Sequence, residues 1–136
     1  MLVRDIMTAE PASVSFNASL GEVADLLYEM DVRHIPVVDG DELVGMISDR
    51  DIRASSSPTA VELEYPETTS WENQKVNTVM SSGVLSVAPD DPVSDVIQLM
   101  IDQKLSAVPV ADDHDGVLVG IVSYIDILSA VQDVLD

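Results

Sequence analysis

Gly45-Met46-Ile47-Ser48-Asp49-Arg50-Asp51 and, further along the chain, Gly120-Ile121-Val122-Ser123-Tyr124-Ile125-Asp126 are two versions of one pattern. In each, a glycine and two apolar residues lead into a serine, and an aspartate follows three residues later. The apolar run fits a strand. Ser-x-x-Asp fits the helix start after it, where hydroxyl and carboxylate satisfy free amides of the first turn. The same geometry has a second use, because a helix start presents unpaired amides and a positive dipole end that suit a phosphate. A carboxylate beside it can accept both hydroxyls of a ribose. From these residues alone, capping and ligand binding are both open.

The pattern belongs to a longer internal repeat, the first thing to look for in any chain. Asp5 to Asp39 aligns without gaps on Thr78 to Asp112, with identities that include Met7/Met80, Val23/Val96, Leu26/Leu99, Pro36/Pro109 and Val37/Val110. Two extra residues in the turn Asp112-Asp113-His114-Asp115-Gly116 then bring Leu43–Ile52 onto Leu118–Ile127.

Each copy reads as a short strand, a helix, a hairpin and a second helix. Ser19 and Glu22 form a capping box ahead of Leu20, Val23, Ala24 and Leu27 at helical spacing. In the second copy Asp91 is the expected cap and Pro92 the first helical residue, ahead of Val93, Val96, Ile97, Met100 and Ile101. Ile35–Val38 and Leu43–Ile47 form a hairpin around Gly40, and Val108–Val122 is its twin. Apolar residues on both sides of these strands imply sheets covered on both faces. The expected class is α/β (α+β): two β-α-β-β-α repeats, residues 1–57 and 76–136, packed sheet to sheet with pseudo-two-fold symmetry. Residues 58–75 form the connector, with a short helical turn expected at Val61–Leu63 and Trp71 as its buried anchor.

Composition narrows the function. Among 136 residues, 25 acidic against 6 basic side chains give a net charge of -19, a field that repels nucleic acid. Apolar residues make up 46% of the chain, too many for an acidic disordered segment. With one Trp and one Phe the core is aliphatic, and without cysteine there are no disulfides or thiolate metal sites. No segment reaches the roughly 18 apolar residues of a membrane span, and Met1–Glu10 lacks the features of a signal peptide. The expectation is a soluble cytoplasmic protein that contacts neither nucleic acid nor membrane. Scattered carboxylates with few lysines resemble proteins of salt-loving microbes. His34 and His114 make a poor metal pair. Asp112, Asp113 and Asp115 lack the spacing of a calcium loop. No hydrolase, phosphate-loop or zinc-hydrolase motif occurs, so no catalytic group is expected.

Duplicated Ile-Pro-Val-Val and Gly-apolar-apolar-Ser-x-x-Asp, with the openings Asp5-Ile6-Met7-Thr8 and Thr78-Val79-Met80-Ser81, resemble a tandem pair of CBS domains, a Bateman module, over nearly the whole chain. The stand-alone arrangement is similar to those of haloarchaea. The resemblance implies two related clefts for adenosine derivatives (AMP, ADP, ATP or S-adenosylmethionine) bound as regulatory ligands and not as catalytic cofactors. By the same resemblance Asp51 and Asp126 grip ribose, while Ser48 and Ser123 touch ribose or phosphate. Ile35-Pro36 and Val108-Pro109 hold adenine through backbone and apolar side chains, and Thr8 and Ser81 lie where the opening loop meets the nucleotide.

The copies differ in charge. Arg33, His34, Arg50 and Arg53 of the first correspond to Ser106, Ala107, Ile125 and Leu128 of the second. A guanidinium fork suits phosphate oxygens, and ion pairs with neighbouring aspartates fit equally. The expected function is a non-enzymatic sensor, homodimeric through its exposed helix faces, that signals to an unidentified effector protein. The alternative is a ligand-free dimerisation or docking module in which both Ser-Asp pairs only cap helices.

Overall fold

The computed structural model describes residues 1–56 and 71–135. The turn expected at Val61–Leu63 and most of the connector lie outside the described residues. The chain divides into two compact units, one of Ala12–Gly40 and Val44–Val84, the other of Met1–Pro11, Asp41–Leu43 and Leu85–Asp136. They are called here the first-copy and second-copy units, after the hairpin that each contains. Elements are numbered along the chain.

In the first-copy unit the four-stranded sheet runs β2-β3-β4-β5, from β2 (Val14–Ser15), β3 (His34–Asp39), β4 (Glu42–Ser48) and β5 (Ser81–Ser82). Helices α2 (Leu20–Met30) and α3 (Asp49–Ser56) complete it, with 3-10 turns at Trp71–Asn73 and Val76–Thr78. As the periodicity predicts, Leu20, Val23 and Leu27 of α2 are buried, in one cluster with Ile35, Val37, Ile47, Ile52 and Val76. Trp71, expected to be buried, is partly buried and packs against this cluster. Ser19 Oγ accepts from the Glu22 amide at 3.3 Å and so caps α2.

The second-copy unit contains α1 (Val3–Ile6), β1 (Thr8–Ala9), α4 (Val93–Gln103), β6 (Ala107–Ala111), β7 (Leu118–Ser123) and α5 (Tyr124–Gln132), with sheet order β1-β7-β6. Its core is almost wholly valine: Val3, Val87, Val93, Val96, Val108, Val110 and Val122, with Ile127. Here the expected start of α4 needs correction. Pro92, not Asp91, occupies the cap position with φ -65° and ψ 144°, and the helix begins at Val93. Asp91 instead turns its carboxylate back to the Ala88 amide at 2.8 Å, and the Val93 amide donates to Met1 O. The orphan amide of the first turn is met by main chain from another segment, so no side-chain cap is needed.

The pairing of the opening segments is non-local. β1, from the start of the first copy, runs antiparallel to β7 with Thr8 opposite Ile121 and Ala9 opposite Gly120. β5, from the start of the second copy, runs antiparallel to β4 with Ser81 opposite Met46 and Ser82 opposite Gly45. The sequence copies thus trade their opening strands. The motif glycines mark where those strands pass. A Cβ at Gly45 would lie 2.7 Å from Met80 Sδ and 2.7 Å from Ser81 O, and one at Gly120 would lie 2.5 Å from Met7 Sδ and 3.1 Å from Thr8 O. At Gly45 the obstacle includes backbone, whereas at Gly120 the nearest atom ends a flexible side chain. Gly45→Ala is therefore expected to destabilise by about 1–3 kcal/mol, with Gly120→Ala at the lower end of that range. Thermal unfolding of the two variants in molar potassium chloride checks the order; equal, negligible losses would show that the strands do not approach so closely.

Candidate functional site

Both Ser-x-x-Asp pairs sit where a strand becomes a helix, and both are reciprocal caps. Ser48 N–H donates to Asp51 Oδ2 at 2.9 Å, and Asp51 N–H donates to Ser48 Oγ at 3.2 Å. In the second copy the same two bonds are 2.9 and 3.2 Å, and Ser123 Oγ adds a third to Asp126 Oδ2 at 3.2 Å. Each cap engages Oδ2 and leaves Oδ1 outside it. Both aspartates are half-buried, and each carboxylate is held by its cap.

A second pin fixes each helix start to its sheet. The Asp49 amide donates to Arg33 O and the Tyr124 amide to Ser106 O, both at 2.9 Å. These are equivalent atoms of the two copies. The frame around both sites is therefore the same, and the side chains on it differ.

On the first-copy unit this frame brings together His34, Ile35 and Pro36 on β3, Ser48 at the end of β4, Arg50 and Asp51 in the first turn of α3, Arg53 in the next, and Ser81 on β5. On the second-copy unit it brings together Thr8 on β1, Val108 and Pro109 on β6, Ser123 ending β7, and Asp126 in α5. Thr8 and Ser81 are exposed and, through the strand exchange, each shares a sheet with the other copy's Ser-Asp pair. Ile35, Pro36 and Val108 are fully buried and Pro109 is buried. Ile35 and Val108 pack in the two core clusters, while Pro36 and Pro109, next along each strand, point to the opposite face of the sheet.

The charged groups cluster on the first-copy unit. Arg33 Nη1 lies 3.3 Å from Asp49 Oδ2, and Arg53 Nε lies 3.4 Å from Asp49 Oδ1. Asp49 was not among the residues singled out by sequence. The Arg53 contact had a local signal in its i,i+4 spacing, but the Arg33 contact spans the hairpin and had none. Burial lowers the pKa of His34 below its ordinary value of 6.5; the nearby carboxylates of Asp51 and Asp49 oppose this, and Arg33 and Arg50 reinforce it. At the equivalent place in the second-copy unit Tyr124, Ile125 and Leu128 are exposed.

A cavity of about 400 Å³ opens beside Asp126 in the second-copy unit, between α1 and α5, lined by Met1, Asp5, Ile6, Ser129, Ala130, Asp133 and Val134 as well. Its size is in the range of small-molecule sites, and the ionisable side chains that line it, Asp5, Asp126 and Asp133, are all acidic. In the 112–115 turn, Asp112 Oδ1 accepts from the His114 amide at 2.8 Å, which with the Asp115 amide holds its carboxyl below the usual carboxylate range. That carboxylate closes the turn. Among the described residues no group of His, Asp and Glu has the arrangement to hold a metal ion, and no helix is long and apolar enough to cross a membrane.

The chain matches the CBS domain family twice, at residues 3–57 and 76–133. It is 34% identical to the CBS domain-containing protein YhcV of Bacillus subtilis, covering 92% of this chain and 81% of that one. It also spans 24% and 22% of the length of two longer curated enzymes. Among solved structures it resembles CBSX2 in complex with AMP, with a TM-score of 0.83 and 28% identity over 98% of this chain and 97% of that one. The CBS domain pair of MJ0100, solved with 5'-methylthioadenosine and S-adenosyl-L-methionine, gives a TM-score of 0.79 and 30% identity over 99% and 98%. With two matched copies, two sheets of equivalent design and a shared fold with these pairs, the chain belongs to the CBS domain family as a tandem pair.

Proposed function

We propose that this chain is a regulatory sensor module in which each unit holds an adenosine-type ligand at its Ser-x-x-Asp helix start. The observation that carries the reading is the doubled site frame. In each unit the exposed opening residue, the Ile-Pro or Val-Pro segment and the Ser-Asp pair lie on one sheet and the helix it feeds. CBSX2 with AMP and the MJ0100 pair with 5'-methylthioadenosine and S-adenosylmethionine support an adenosine ligand. Asp51 and Asp126 take the ribose through the carboxylate edge outside the cap. The main chain at Ile35-Pro36 and Val108-Pro109 faces the base, while Thr8 and Ser81 border the ligand.

Arg33, His34, Arg50 and Arg53 make the first-copy site suited to a phosphorylated ligand, AMP, ADP or ATP, because guanidinium forks match phosphate oxygens. The second-copy site lacks those arginines and suits a less charged adenosine derivative. No catalytic step is assigned; the ligand is a signal, and a partner protein reads the resulting shift in conformation. Such a ligand shifts an equilibrium only by its difference in affinity between the two states. The exposed Tyr28, Ile101, Ile125 and Leu128 are suited to join two modules as a homodimer. The acidic surface suits a potassium-rich cytoplasm, where salt screens its self-repulsion.

The competing reading, a ligand-free docking module, draws on the exposed apolar face of α5 and the completeness of both caps. Ligand binding separates the two. In molar potassium chloride, AMP, ADP, ATP or S-adenosylmethionine at 100 times its dissociation constant adds about 2.7 kcal/mol to stability, a rise of about 10 °C in midpoint for a domain of this size. Asp51→Asn and Asp126→Asn retain an oxygen for the cap, and each is expected to abolish the shift of the ligand bound in its own unit. An unchanged midpoint with all four compounds favours the docking module. Sedimentation in the same buffer is expected to find dimers, and monomers alone would remove the homodimer.

His34 adds a pH dependence. Its folded-state pKa lies below its unfolded value, so its neutral form contributes stability that is present above about pH 6.5 and is lost as pH falls through the folded value. Between pH 7.5 and 5.5 the wild type should therefore lose more stability than His34→Gln, by no more than about 1.4 kcal/mol per pH unit. Denaturant midpoints of the two proteins across that range measure the difference, and parallel curves would show that His34 titrates as it does in the unfolded chain.

A further inference from the structure

Asp49 occupies the first position of α3, between the capping serine and the ribose aspartate of the proposed first-copy site, and spends both of its oxygens on arginine. Oδ2 lies 3.3 Å from Arg33 Nη1 and Oδ1 lies 3.4 Å from Arg53 Nε. A carboxylate and a phosphate offer guanidinium the same thing: a pair of anionic oxygens spaced for its fork. We infer that Asp49 is an internal competitor for the ligand's phosphate. It holds Arg33 and Arg53 in the empty site and sets the affinity for phosphorylated over unphosphorylated adenosine. The inference rests on the adenosine reading given above.

Three observations carry it. The contacts to Asp49 are longer than the 2.7–2.9 Å typical of a strong charge-assisted bond, and the Arg33 and Arg53 side chains are 80% and 72% exposed. Pairs of this kind are worth little, about 0–1 kcal/mol each, so a phosphate can take the arginines at small cost. Asp49 itself is only 28% exposed, and its amide is pinned to Arg33 O, so the carboxylate stays beside the arginines after they turn to a ligand. There it repels a phosphate directly. Finally, the second copy is an internal control: Ser106, Tyr124 and Leu128 replace Arg33, Asp49 and Arg53, so all three members of the bridge are absent together on the same backbone frame.

The test compares AMP and adenosine binding to the full chain by calorimetry, for wild type, Asp49→Asn, Arg33→Ala/Arg53→Ala and the triple variant, at low salt and in molar potassium chloride. Asp49→Asn is expected to tighten AMP about three- to tenfold at low salt and to leave adenosine within about twofold. The gain should shrink in molar salt and vanish in the background without the two arginines. Weaker or unchanged AMP binding by Asp49→Asn, with wild type binding AMP, overturns the inference alone: Asp49 would then position the arginines or act on nothing. An equal gain for AMP and adenosine also overturns it, since the effect would not involve phosphate. Failure of wild type to bind either compound overturns the adenosine reading, and the inference falls with it. Asp49→Ser, with a good helix-start residue in place of the carboxylate, repeats the measurement should Asp49→Asn fold poorly.

Discussion

Two backbones meet over Gly45 and again over Gly120, and most of the molecule's organisation follows from that contact. A side chain at Gly45 would collide with the backbone of the strand opposite, and one at Gly120 would press on the Met7 side chain that leads into its partner strand; each of these segments comes from the start of the other copy. Glycine is present because the approach is close, not because the turn needs a left-handed residue. The exchanged strands also carry Thr8 and Ser81, so the same contact that sets the edge of each sheet places an exposed hydroxyl on it. Neither sequence copy supplies all parts of its own site frame. Truncation at the repeat boundary would leave each sheet without its β1 or β5 edge.

The helix starts combine structural and chemical duties in a way that explains why the pattern is both common and ambiguous. A reciprocal Ser-Asp cap needs one carboxylate oxygen, and Oδ2 serves in both copies. The cap holds the carboxylate's plane and leaves the other edge for a ligand. Orienting a group in advance removes the ordering cost that a free side chain would meet on binding. Capping and binding, which compete as explanations of the sequence, do not exclude one another in the structure, because each cap uses one carboxylate oxygen.

What could be read from the sequence was whatever depends on neighbours along the chain. The helix stripes Leu20/Val23/Leu27 and Val93/Val96, the Ser19 cap, both hairpins and the anchoring of Trp71 all come from local spacing, and the repeat made each of them visible twice. The failures are of the opposite kind. Asp91 has the composition of a cap, but Met1 O reaches the Val93 amide first, and no local signal announces a main-chain partner some ninety residues away in sequence. The strand exchange left a trace in the motif glycines, but a glycine says only that something passes close, not which segment it is. Asp49 escaped notice because one of its two partners lies across the hairpin.

Duplication followed by divergence at a few side chains has separated the stability of this fold from the chemistry of its surface. The pins that set each helix start, 2.9 Å from Asp49 N to Arg33 O and from Tyr124 N to Ser106 O, are made by main chain and are indifferent to the residues that supply them. Arg33, His34, Asp49, Arg50 and Arg53 could therefore change to Ser106, Ala107, Tyr124, Ile125 and Leu128 without loss of the frame. In a chain of net charge -19, three of the six basic side chains, Arg33, Arg50 and Arg53, gather on one frame beside Asp49 and Asp51. Asp49 bridges Arg33 and Arg53, while the matching place in the second copy carries apolar groups, with a cavity lined by Asp5 and Asp133 beside Asp126. The two helix starts thus share a backbone frame and differ in the side chains set on it, arginines and Asp49 on the first and a tyrosine, an isoleucine and a leucine on the second.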